Sequence, residues 1–192
     1  MVSVFSFRPA FEMRGRKFKG LRGYAGKPFH PPLTDVPVGA YTIGPILSVI
    51  AFVFSNSSWS SEVWAAAGYT MLVGAVVSVA TAITGLADWL NTEKGTQIRR
   101  IANAHMWVML TMTLVVVVAL ALRFAGDRNG APDTVVLILD LVIAGLVTAG
   151  GTIGGSLTYD FGFNVETAGD NHVYHVSDYD IVHPHDEPPA GA

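Results

Sequence analysis

The chain has 192 residues, of which 51% are hydrophobic and only 14% charged, with a formal net charge of −3 and a mean hydropathy of +0.42. That balance excludes an ordinary soluble domain. The absence of cysteine excludes disulfides, thiolate ligands, iron–sulfur sites and cysteine nucleophiles.

The first segment, residues 1–29, is a basic arm in which aromatics are mixed with Arg8, Arg14, Arg16, Lys17, Lys19, Arg22 and Lys27. It lacks the contiguous apolar core of a signal peptide and is expected to stay in the mature protein. Two readings stand for it: a patch for anionic lipid, where each surface cation contributes about 1 kcal/mol, or a device that only fixes topology. Neither needs a nucleic acid.

Four apolar windows follow, at about 36–54, 64–90, 100–124 and 133–157. Each is long enough to cross a bilayer core, which takes roughly 20 apolar residues. The expected fold is all-α, a four-helix transmembrane bundle over 30–157 between the basic arm and an acidic, His-rich tail at 158–192. Small residues at four-residue spacing let membrane helices approach closely. Gly74, Ser78 and Ala82 on the second span, and Gly150 with Gly154 or Gly151 with Gly155 on the fourth, meet that spacing.

Orientation follows from lysine and arginine near the span ends. The arm and the loop carrying Lys94, Arg99 and Arg100 hold ten cations, against Arg123 and Arg128 on the other side. Both termini are therefore expected in the cytoplasm, the bilayer being the inner (plasma) membrane of a bacterium.

With that topology all six histidines fall on one side. The stretch GLADWLNTEKGTQIRRIANAH brings Asp88, at the end of the second span, beside His105, which lies ~8 Å along the third helix from Arg100. His30 and Asp35 enter the same layer from the first span. Ionisable groups in hydrocarbon are costly, so such residues are functional candidates. One reading has His30 and His105 holding a haem or a metal ion, with Asp35 or Asp88 orienting them, because a ligating imidazole donates its other N–H to a carboxylate or carbonyl. The other is structural: Asp88 caps a loop or pairs with Arg99, and His105 bonds to it. In the tail, His172, His175, His183 and His185 stand among seven acids and no Lys or Arg, a set that could bind a divalent metal or remain a solvated tail. HVYHVSDYDIV within it has the alternation of a short strand.

Asp140 is the one charged side chain well inside a span; it is either a proton-relay acid or, the favoured reading, a helix-packing group bonded to a residue such as Thr111, Thr113 or Tyr69. A transport site built on this single acid lacks the paired broken helices expected at a midplane site. No nucleophilic triad, phosphate-binding glycine loop or HExxH is present, so no catalytic residue is assigned.

HPPLTDVPVGAY (30–41), TGLADWLNT (84–92), RRIANAH (99–105) and GGSLTYDFGFNV (154–165) resemble, in order, the segments of a bacterial four-helix membrane family catalogued as domain of unknown function 2231. On this resemblance His30, Pro31, Asp35, Pro37, Gly39, Asp88, Trp89 and His105 match family motifs. It implies an integral membrane protein, and redox company, since some members look like membrane anchors fused to a Rieske-type domain. This chain departs from that pattern in its acidic tail and in having no cysteine for a cluster. The expectation is a small membrane subunit of a redox or energy-converting complex, with a b-type haem or a divalent metal at the rim. The alternative is a cofactor-free accessory subunit that clamps a larger complex through arm and tail.

Overall fold

The computed structural model describes residues 17–125 and 128–164. A 3-10 turn, η1 (Gly20–Arg22), precedes four long helices: α1 (His30–Val53), α2 (Ser60–Leu90), α3 (Gln97–Phe124) and α4 (Thr134–Tyr159). All four are long and apolar enough to cross a membrane. There is no strand among the described residues, only isolated bridges pairing Phe18 with Tyr24 and Tyr24 with Lys27. The strand expected in the tail lies outside the described residues.

The helices form two hairpins, α1 on α2 and α3 on α4, packed more extensively within themselves than against each other. Short connections make neighbours antiparallel, so His30, Leu90, Gln97 and Tyr159 share one end of the bundle, called here the histidine end.

The first helix begins six residues before the expected window because Pro31 and Pro32 occupy its first turn, where a missing N–H costs no intrahelical bond. Two further prolines, Pro37 and Pro45, lie inside it. Pro37 cannot donate to the carbonyl of Leu33, and Thr81 on α2 replaces the lost bond, its Oγ1 donating to that carbonyl at 3.1 Å. Neighbouring hydroxyls make proline tolerable in membrane helices in this way. The later helices start on side-chain caps: Thr96 Oγ1 accepts from Arg99 N at 3.2 Å and Asp133 Oδ1 from Val136 N at 3.0 Å.

Small residues set how closely each hairpin closes. A Cβ on Gly74 would lie 2.6 Å from the Ala40 side chain, and Ser78 meets the Tyr41 hydroxyl at 3.0 Å. On α4 it is the Gly150/Gly154 pair that faces α3, against Met109 and His105, whereas a Cβ on Gly151 would meet nothing within 4 Å. The buried apolar side chains form two clusters, one around Tyr41, Met71, Met112, Val116 and Ile143, the other around Ala51, Trp64 and Val136. The first joins all four helices and reaches, through Met109, the turn next to His105, whereas the second lies towards the opposite end.

Candidate functional site

At the histidine end the interior is polar. Thr84 and Asp88 are buried there and Ala102 is the buried apolar residue nearest to them on α3. Two imidazoles occupy the remaining space. His30 opens α1, and its Nδ1 lies 2.9 Å from the carbonyl oxygen of Thr81 on α2. His105, two turns into α3, has its Nδ1 2.9 Å from the carbonyl oxygen of Gly150 on α4. A carbonyl can only accept, so in both rings the proton is assigned to Nδ1 and the lone pair to Nε2. The hydrogen bonds among the described residues engage Nδ1 of both rings and Nε2 of neither.

The two hairpins repeat one device. In each, a histidine of the first helix bonds to the carbonyl of a residue on the second, and the ring lies over the glycine one turn further on. A Cβ on Gly85 would stand 2.6 Å from His30 Cε1, and one on Gly154 2.8 Å from His105 Cε1. Each imidazole is thus fixed to its own hairpin, and the pair meets across the looser seam with ring centroids 6.4 Å apart and planes at 82°.

The carboxylates expected to orient these rings are placed elsewhere. Asp88 Oδ1 takes Arg22 Nε at 2.9 Å, and Asp35 is exposed on α1. Backbone carbonyls hold the imidazoles in their place. Arg99 does not pair with Asp88 either: it lies over the Trp89 ring at 3.7 Å and donates to Trp89 O and Thr92 Oγ1 at 2.6 and 2.8 Å. Arm and post-α4 segment do meet over this end. Asn164, in the left-handed region at φ 56°, donates to Arg22 O at 3.3 Å and accepts from Lys19 Nζ at 3.2 Å. His172, His175, His183 and His185 lie outside the described residues.

A second polar cluster sits towards the opposite end and takes one residue from each helix. Arg123 Nη2 donates to Asp140 Oδ2 at 2.5 Å and to Ser48 Oγ at 2.7 Å, Nη1 donates to Trp64 O at 3.1 Å, and the guanidinium stacks on the Trp64 ring. Ser48 Oγ donates to the same Asp140 oxygen at 2.6 Å. Thr111, Thr113 and Tyr69, the expected partners of Asp140, are not its partners. Arg123 escapes a reading of the sequence because a cation one residue from a helix end looks like a loop charge; its signal is an acid seventeen residues on, at a matching depth of the next span.

Four apolar membrane-length helices with a polar, histidine-bearing end define an integral membrane helical-bundle protein. Residues 26–167 match the family described as "Predicted membrane protein (DUF2231)", and the chain belongs to that family. No curated protein and no solved structure matches it.

Proposed function

We propose that the chain is a small membrane subunit of a redox assembly in which His30 and His105 would hold a b-type haem. The observation that carries this reading is the neighbouring pair of imidazoles, each with Nδ1 committed to a backbone carbonyl and Nε2 without a hydrogen bond among the described residues. The ring centroids lie 6.4 Å apart, so both imidazoles would be within reach of one haem iron.

Ligand number supports haem over a bare divalent ion. No group of three or more His, Cys, Asp or Glu side chains able to hold a metal occurs among the described residues. Zinc sites take three or four protein ligands, whereas a porphyrin brings four nitrogens of its own and asks the protein for two. A haem held by these two histidines would supply one-electron transfer. The excess of ten cations over two supports both termini in the cytoplasm of a bacterial cell.

Haemin titration of the purified protein tests this. A Soret band with the narrow visible bands of a six-coordinate low-spin haem is expected, absent from His30→Ala and from His105→Ala. Gly154→Ala, which pushes on the ring without removing it, is expected to weaken haem retention at least several-fold. A protein that takes up no haem while keeping its helical circular dichroism overturns the reading. The second reading, a cofactor-free clamp, draws on the contacts joining Arg22, Asp88 and Asn164 over the same end. It expects co-purification with a larger complex in mild detergent, lost on deleting residues 166–192.

A further inference from the structure

The side of α4 that turns away from His105 lines a groove of about 610 Å³ between α1 and α4. Gly150 and Gly154 hold His105 on the inner face of α4, and Gly151 and Gly155, one residue on, line the groove. Only helix backbone therefore separates an occupant from the imidazole.

The groove is graded. At the histidine end it carries Thr148, Thr152, Ser156, Tyr159 and Asp160. Through Thr42 and Thr148 it continues into a second hollow of about 290 Å³ lined by Ile46, Val49, Ile50 and Leu141. From Asp160, the residue that caps α4, back to Leu141 is 19 positions, about 28 Å at 1.5 Å per residue. A polar head and a long apolar tail fit that gradient, with the head level with His105.

The hydroxyls decide which head. Thr148 Oγ1 donates to Ala144 O at 2.8 Å, Thr152 Oγ1 to Thr148 O at 2.9 Å and Ser156 Oγ to Ile153 O at 2.8 Å. Their protons are spent on their own helix, so each oxygen has only lone pairs left to offer the groove, and Asp160 adds a carboxylate. Such a wall accepts hydrogen bonds. A hydroquinone brings two O–H donors, whereas a quinone brings acceptors that would find the Tyr159 hydroxyl alone.

We propose that the α1–α4 groove binds an isoprenoid hydroquinone, the reduced form in preference to the oxidised one. Its placement beside an electron-transfer centre rests on the haem reading; the binding itself does not.

The full chain in phosphatidylcholine nanodiscs, titrated with a decyl-chain benzoquinol or benzoquinone, tests the site. One quinol per chain is expected, bound at least about fivefold more tightly than the quinone. Thr152→Val, which removes one acceptor, is expected to weaken the quinol by about fivefold, the worth of one hydrogen bond, and to leave the quinone unchanged. Gly151→Leu, whose side chain enters open space, is expected to abolish both while the Soret band and melting temperature persist. Equal affinity for the two oxidation states, displacement of the quinol by phosphatidylglycerol, or a Gly151→Leu variant that changes oligomeric mass but not binding would each overturn the proposal. Quinol binding without a Soret band removes the haem and leaves this site standing; the converse removes this site alone.

Discussion

At the scale of single residues, the consequential choices are those that leave no polar atom free to rotate. Each candidate ligand histidine is tied by one nitrogen to a helix carbonyl and seated on a glycine, so its second nitrogen has one direction in which to point. Arg123 and Asp140 show the opposite use of polarity. Both side chains are fully buried and each keeps an unpartnered atom, Arg123 Nε and Asp140 Oδ1. A buried pair is expensive to break from one side, because the survivor is left as an uncompensated charge, whereas replacing both partners by apolar groups is often neutral. Arg123→Met and Asp140→Leu are therefore expected to destabilise the bundle by about 3–5 kcal/mol each, and the double variant by much less. Unfolding in mixed detergent micelles measures the cycle, and additive losses would show that the pair does not act as a unit.

At the scale of elements, α1 is the helix that should not hold together unaided. Pro37 removes a backbone bond that lipid cannot replace, and Thr81 is stitched to α1 twice, through its Oγ1 to Leu33 O and through its own carbonyl to His30. One side chain thus repairs the proline and its backbone positions a candidate ligand. Thr81→Val is expected to cost about 1 kcal/mol, in the range of interhelical hydrogen bonds in membranes. In a Pro37→Ala background, where the new backbone N–H can itself donate to Leu33 O, the same substitution should cost markedly less. A double-mutant cycle read by thermal unfolding checks this, and an unchanged cost would mean that Thr81 acts elsewhere.

At the scale of the whole molecule, four helices of alternating direction bring the arm, the α2–α3 connection and the post-α4 segment to one end, so that Arg22, Asp88 and Asn164 close over the histidines. The proposed orientation puts this end in the cytoplasm. Because the chain has no native cysteine, single reporters at Ser3→Cys, Ser57→Cys and Ala190→Cys can be labelled cleanly. The first and third are expected to react with an impermeant maleimide from the cytoplasmic side and the second from the other. Reaction of the two terminal reporters from different sides would overturn the topology and the single histidine layer with it.

The sequence by itself determined the four spans, because twenty consecutive apolar residues have no stable place other than a bilayer or a large core. It also determined that His30, Asp88 and His105 share one end, because short connections leave antiparallel helices no other arrangement. The helical turn that precedes the apolar window in α1 rests on Pro31 and Pro32 at its start. What surrounds each histidine was decided by the tertiary structure. The groups holding the imidazoles are the carbonyls of Thr81 and Gly150, and a backbone carbonyl is present at every position of every sequence, so no residue type announces it. Asp88, the legible candidate, was taken by Arg22 from the arm, 66 positions away. Arg123 and Asp140 came together for the same reason: which faces of two helices meet depends on rotation about their axes, and that angle is fixed only when all four helices pack.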